Sequence, residues 1–465
     1  MSELALLPIT RLSAMMDAGE TDAKALTRQF LQRIHGAGRA LNCYVATCET
    51  TALAEARAAA ERASARRRLG PLDGIPVAVK DNIDVAGVPT SNGFGGPAWR
   101  VPDEDSEIVR RLRAAGAVIL GKLNMHEGAL GATTDNPHFG RTINPYRAGY
   151  SPGGSSGGSG AAVAAGLCGA ALGTDTGGSV RIPAAWCGLV GLKPSFGLIS
   201  TRGVVPLSYR LDHAGPLTRT VADAATMLRV LAGFDPRCPD SRHAPEFPAD
   251  DPAPGRLDGI RLGLLRNFDA EQQEPAVRQA FERALRQLSA LGAHIVPIAL
   301  PSYDAVQGRR AGFVRVEAEA AFVHAALYER EPQRFSPAMR HYLDYGRNLP
   351  ATRLLAADRR IDRAAFELTE CLQDVDAIVS STTPQSAPAF DDHEPENAGS
   401  FCIPANFAGV PAVTVPMGAD ERGLPLGLQI IGPRHAEARV LRIAAGYEAA
   451  SGVALTPPPL GAPPA

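Results

Sequence analysis

Apolar residues recur along the chain at two alternating periods, and their order predicts the fold class. Over 21–35, Ala25, Leu26, Phe30, Leu31 and Ile34 fall on one helical face, with Thr21 placed as the N-cap. A second, Ala-rich helix is predicted over 50–68. It closes on Arg66-Arg67-Arg68, where cations suit the negative end of a helix dipole. The turn Pro71-Leu72-Asp73-Gly74 then feeds the apolar run IPVAVK (75–80), which is short enough to be a strand. The pairing returns with a helix over 104–115, acidic at its start, and the strand AVILGK (117–122). Small residues predict a helix over 160–170, followed by the strand ALGTD (171–175). Further helices fit 219–232, 275–290, 353–373 and 436–450, and strands fit 260–265, 294–299, 377–380, 411–416 and 426–431. Short strands alternating with longer helices predict an α/β sheet covered on both faces.

Boundaries between units are weak. The Pro/Asp-rich stretches 235–255 and 382–398 read as surface excursions, and PPPLGAPPA (457–465) as a flexible tail. We therefore expect a single large domain, with N-terminal helices over 1–70, a core over 70–235 and a variable region over 300–400.

Composition narrows the function. The 465 residues carry a net charge of −2, with no basic domain of the kind that nucleic-acid binding requires. Seven cysteines form no CxxC pair and read as reduced thiols of a cytoplasmic protein. The start MSELALLPITRL lacks the apolar core and basic flank of a signal peptide, and no apolar run is long enough to cross a membrane. The histidines show no HExxH or other close ligand pair, so no metal or cofactor is expected.

Three pieces carry chemistry. Ser179 follows Thr176-Gly177-Gly178, and glycines ahead of a serine let backbone N–H groups converge on a carbonyl oxygen bound there. A strand-ending turn would explain the same glycines. Ser155 lies in GYSPGGSSGGSG (149–160), 24 positions upstream, which also reads as a flexible loop or a phosphate cradle. The segment satisfies the G-x-S-x-G nucleophile elbow with Ser155 or Ser156 at its centre, although 147–152 makes a poor strand. Lys80 ends the apolar strand 75–80; leaving a buried strand it would be desolvated and available as a neutral base, and on a surface it would pair with Asp81 or Asp84. His126 and His138, flanking Asp135, read as structural or pocket-lining, and Arg181 as a substrate-anion contact or a supporting salt bridge.

Taken in order, LDGIPVAVKDNIDVAG (72–87), YSPGGSSGGSGAAVAAG (150–166) and LGTDTGGSVRIPAAWCGLVGLKPSFGLISTRG (172–203) resemble the amidase signature family. KLNMHEGALGATTDNPHFGRTINPY (122–146), LDHAGPLTRTVADAA (211–225), IPANFAGVPAVTVPMG (403–418) and LPLGLQIIG (424–432) extend the match to about 70–235 and 375–450. The resemblance implies one α/β domain with a large mixed sheet between helices. It implies Ser179 as nucleophile, Ser155 in a cis peptide with Gly154 as the bridging serine, and Lys80 as the base. The oxyanion hole would fall on Thr176, Gly177 and Gly178 with Ser179, and Ser156, Asp175 and Arg181 would contact substrate or support the site. The reaction expected is hydrolysis of a small-molecule amide, anilide, ester or carbamate through an acyl-enzyme, with no nucleic acid or membrane as partner and a homodimer left open. The other reading is the glutaminase subunit of a glutamyl-tRNA amidotransferase. Its glutamine-binding aspartate would fall on Gly399 or Ser400 and its basic pair on Arg340-His341, and both departures argue against glutamine recognition. Phe313, Phe322, Tyr328, Tyr342 and Tyr345 suit an apolar acyl group or a plain helical core.

Overall fold

The computed structural model describes residues 4–459 apart from 98, 246, 248–251 and 271. Part of the excursion predicted over 235–255, and residues 460–465 of the tail, thus lie outside the described residues.

Eleven strands form one mixed sheet. They are β1 (Tyr44–Thr47), β2 (Pro76–Lys80), β3 (Val118–Leu123), β4 (Ala170–Asp175), β5 (Val190–Lys193), β6 (His213–Thr218), β7 (Arg261–Leu265), β8 (His294–Ile298), β9 (Ala377–Ser381), β10 (Ala412–Ala419) and β11 (Pro425–Ile431). Across the sheet they run β1-β3-β2-β4-β6-β5-β10-β11-β9-β7-β8. β2 is parallel to β3 and β4, and β7 is parallel to β8 and β9. The other pairings are antiparallel. Every residue of β2, β3, β4 and β9 is buried, because helices cover both faces. That is why these strands read as unbroken apolar runs and not as alternation.

The expected α/β fold with a central mixed sheet is the one observed, and the local differences have physical reasons. Helix Ala23–His35 is capped by Asp22, not Thr21, its carboxylate accepting the Ala25 N–H at 2.9 Å. The helix expected to 68 ends at Ser64, since Arg66 turns into the left-handed region at φ +54°. Arg68 therefore stands beyond the dipole and binds the Ser13 carbonyl and Asp17. The small-residue helix is Gly157–Ala164, starting three residues early and stopping before Gly166 at φ +68°. Within 300–400 two further helices appear, Ala305–Arg330 and Pro337–Arg347. The buried face of the first is made largely of small residues and a histidine, among them Ala305, Gly308, Gly312 and His324, while Val306, Phe313 and Phe322 are exposed, so no apolar stripe announces it.

Two large apolar clusters fill most of the interior, and a small third one gathers around Trp186. The larger joins β1–β6 and the helices before residue 232 to β10, β11 and helix Glu437–Ser451. The second gathers the helices between 305 and 374 against β9 and the segment 401–412. Helix Gly157–Ala164 is buried throughout and lies close to the chain just after β3. A Cβ on Gly158 would stand 2.3 Å from the Asn124 carbonyl oxygen and 2.7 Å from its nitrogen, so backbone meets backbone there. Gly158→Ala should therefore cost about 1–3 kcal/mol through overpacking. Urea denaturation reads this as a lowered midpoint, and an unchanged midpoint would contradict the close approach.

Candidate active site

Because β2 and β4 are parallel neighbours, their C-terminal ends reach the same edge of the sheet. Ligands in such sheets bind beyond the carboxyl ends of the strands, and here those ends are Lys80 and Asp175. Lys80 is wholly buried. Its Nζ donates to Ser155 Oγ at 2.7 Å and to Thr174 Oγ1 at 2.8 Å, and Asn82 Nδ2 donates to the same threonine oxygen at 3.1 Å. Burial pushes its pKa down to about 7, against the opposing pull of the Asp212 and Asp175 carboxylates.

The glycine-rich segment 153–158 carries Ser155 to this amine. The Gly154–Ser155 peptide is cis, and the Ser155 carbonyl accepts the His126 N–H at 3.0 Å. Thr134 Oγ1 donates to the Gly153 carbonyl at 2.8 Å and accepts the Gly157 N–H at 3.0 Å, which braces the loop on both sides of Ser155. The Ser156 N–H donates to the Ser179 carbonyl at 3.3 Å and joins the two serine loops directly. No strand precedes this loop among the described residues 147–152, and both Ser155 and Ser156 are buried, so a nucleophile elbow is not what it forms.

Ser179 is partly exposed, and it borders a cavity of about 500 Å³ together with Gly154, Thr176 and Gly177. Asp175 builds the turn that presents it. The carboxylate accepts the N–H groups of Gly178 at 2.8 Å and Val180 at 3.1 Å, the Asn406 amide at 2.9 Å, and Arg181 through Nη2 at 2.8 Å and Nε at 3.0 Å. Burial alone would raise the Asp175 pKa, but Arg181, Lys193 and Asn406 outweigh it and hold the group well below the usual carboxylate range. Gly178 adopts φ +126°, and a Cβ there would meet Cys402 Cβ at 2.9 Å. Its N–H is spent on Asp175. Those of Thr176, Gly177 and Ser179 meet no acceptor among the described residues.

The remaining sequence candidates divide clearly. Ser156, Asp175 and Arg181 do not border the cavity, so of the two readings open from the sequence, contact with substrate or support of the site, their surroundings favour support. Ser156 Oγ binds the Thr174 backbone. Arg181 spends its other three guanidinium N–H groups on the Cys402 carbonyl at 2.8 Å, Gln429 Oε1 at 2.7 Å and Asn406 Oδ1 at 2.6 Å, leaving none for a substrate anion. His126 borders the cavity, whereas His138 pairs with Glu127 and Asp135 with Arg141, each at 3.0 Å. Of the aromatic residues, Phe313 and Tyr342 line the wall, and Phe322 is 75% exposed.

Sequence reasoning missed Thr174, Asp212 and the charged wall. Arg309, Arg310 and Glu317 come from helix Ala305–Arg330, and Glu394 and Glu396 from the loop before Ser400. Asp212 and Asn406 both lie inside matched motifs, where a buried polar residue amid apolar neighbours is the available signal.

A family profile described as Amidase matches residues 25–441. A glutamyl-tRNA(Gln) amidotransferase subunit from Chloroflexus aurantiacus is 39% identical, over 96% of this chain and 97% of its own. Among solved structures, a chain from a vestigial protein complex bearing on the origins of an s-triazine catabolic enzyme superposes with a TM-score of 0.90. It is 33% identical, over 96% of this chain and 99% of that one. The like-named amidotransferase subunit from Thermotoga maritima superposes at 0.81 with 31% identity, over 96% and 95%. These likenesses overturn the expectation of a lone enzyme for a small-molecule amide with no nucleic-acid partner. Relatives matched end to end are named as subunits, and as subunits of an enzyme for a tRNA.

Removing Arg181 leaves Asp175 buried without its cation. Arg181→Ala should cost roughly 3–5 kcal/mol in denaturation. A variant of native stability with only a raised KM would instead return Arg181 to substrate binding.

Proposed function

The chain belongs to the amidase signature family, and on that footing we propose that it is the glutamine-hydrolysing subunit of a glutamyl-tRNA(Gln) amidotransferase. The observation that carries this reading is the end-to-end likeness, at 39% identity, to a subunit of that enzyme. The cavity suits it. Glutamine brings a neutral amide, a carboxylate and an ammonium group, and the wall beside Ser179 offers the cations Arg309 and Arg310 and the carboxylates Glu317 and Glu394. Arg309 Nη1 donates to Ser400 Oγ at 2.7 Å, so helix Ala305–Arg330 brings a cation for the carboxylate to the loop at 399–400, and the anion for the ammonium group falls to Glu317 or Glu394. The substitutions at 399–400 and 340–341 thus count less against glutamine than their identities suggest.

In this reading Ser179 Oγ attacks the side-chain amide carbonyl while its proton passes to Ser155, whose own proton passes to neutral Lys80. Backbone N–H groups of the 176–179 turn stabilise the oxyanion. Collapse of the tetrahedral intermediate returns the proton through Ser155 to the leaving nitrogen, releasing ammonia and leaving a glutamyl ester on Ser179. Water, deprotonated by the same relay, then releases glutamate. The ammonia is consumed by partner subunits, which amidate glutamyl-tRNA. Among the described residues no helix is long and apolar enough to cross a membrane, and we place the enzyme in the cytoplasm with its seven free thiols.

Two measurements test the reading. Glutamine hydrolysis should be weak for the isolated chain, rise when partner subunits and glutamyl-tRNA are added, and yield glutaminyl-tRNA. Amide hydrolysis that ignores both glutamine and tRNA would sink the assignment. Because Lys80 accepts a proton only when neutral, kcat/KM should climb with pH through a limb near 7 and fall below it. A flat profile between pH 6 and 8 would remove Lys80 as the base.

A further inference from the structure

Asp212 links a wall residue of the large cavity, Leu207, to the turn that presents Ser179. Oδ1 accepts the Thr176 hydroxyl at 2.6 Å. Oδ2 accepts the N–H groups of Leu207 at 2.8 Å and Ser208 at 3.1 Å. Leu207 is part of the cavity wall, and the Ser208 hydroxyl donates to Glu319 of helix Ala305–Arg330, which supplies the charged side of the same cavity. Asp212 also borders a smaller cavity of about 170 Å³, across which Arg202, Arg237 and Asp240 face it. The segment 207–212 is therefore a strut from the substrate wall to Thr176.

Electrostatics gives the same carboxylate a second reach. Of the charges that raise the proton affinity of Lys80, Asp212 is the leading one and Asp175 the next. Burial lifts the Asp212 pKa to about 6, the bonds from Thr176, Leu207 and Ser208 draw it down, and Glu319 pushes it up. The carboxylate is then largely charged near pH 7, where Lys80 loses its proton.

We propose that Asp212 is a positioning residue for the acylation step, fixing the oxyanion turn through the Thr176 hydroxyl and holding a buried carboxylate near Lys80. It touches no reacting atom. The proposal rests on acylation of Ser179 by the relay described above, and it does not require glutamine to be the amide.

Two variants separate the two actions. In Asp212→Asn, the amide oxygen can accept the Leu207 and Ser208 N–H groups while the amide nitrogen donates to Thr176 Oγ1, so the contacts survive and the charge is lost. In Thr176→Val the charge survives and the contact is lost. The readout is the rate of covalent labelling by a fluorophosphonate across pH 5–9, mapped to Ser179 by mass spectrometry, with thermal unfolding measured beside it. For Asp212→Asn we expect the acid limb to move to lower pH by roughly one pH unit, because a nearby carboxylate no longer favours the ammonium form. For Thr176→Val we expect an unmoved limb and a plateau about ten- to a hundredfold lower, the size of effect that small misplacements produce. Wild-type limb and plateau in both variants would overturn the proposal, as would losses that merely follow the melting temperature. Should Asp212→Asn not fold, Asp212→Glu decides: an unmoved limb with a reduced plateau is expected, and a wild-type plateau refutes the positioning role. Normal labelling of Ser179→Ala would instead refute the Ser179 assignment and leave glutamine specificity to its own assay.

Discussion

Lys80 sits at the end of β2 with its Nζ removed from water and bonded to the hydroxyls of Ser155 and Thr174. Two other lysines are as deeply buried. Lys122 keeps the Asp81 carboxylate at 3.0 Å, whereas Lys193, which donates to the Pro194 and Val410 carbonyls at 3.0 and 2.6 Å, is driven toward the neutral form by burial as Lys80 is, but has no serine hydroxyl beside it. Neutral hydroxyls replace little of the hydration that an ammonium ion loses on burial, a cost of several kcal/mol. The protein meets it by letting the amine shed its proton near neutral pH. A neutral amine in contact with one serine hydroxyl is a base already in place, and the rest of the site is arranged around it.

Holding that arrangement falls to charges that do not border the cavity. Asp175 gathers Gly178, Val180, Arg181 and Asn406 around a single carboxylate, and Arg181 carries the bonding on to Cys402 and Gln429. The turn bearing Ser179 is thus tied to β4 on one side and to β11 and the segment 402–406 on the other. Close contact with the Asn124 backbone at Gly158 and with the Cys402 side chain at Gly178 leaves no room for a side chain, which accounts for glycine beside each serine. The motifs are long because each residue in them meets another motif.

Much of this is legible from the chain, and the limit has a physical cause. Strands such as 75–80 and 171–175 announce themselves because both their faces are covered, and Ser155, Ser179 and Lys80 stand out through their glycine and apolar contexts. Thr174 and Asp212 do not, since only the pairing of β4 with β2 and β6 brings them to the site. Helix Ala305–Arg330 buries mostly small residues and exposes Phe313 and Phe322, so it lacks the stripe that helix reading needs. Arg309, Arg310 and Glu317 are hidden with it, and without them positions 340–341 and 399–400 weigh too heavily against glutamine. Arg181 looks equally fit for a substrate anion until its five N–H groups are seen to be taken.

In the mechanism proposed above, a buried neutral lysine working through a serine relay is the centre of the chemistry, whichever amide the cavity accepts. Its protonation can be observed without turnover. In protein carrying isotope-labelled lysine, with Lys80→Arg used for assignment, the Lys80 Nζ resonance should titrate near pH 7. A midpoint close to the ordinary lysine value of about 10.4 would mean that the amine is charged at neutral pH and cannot be the base.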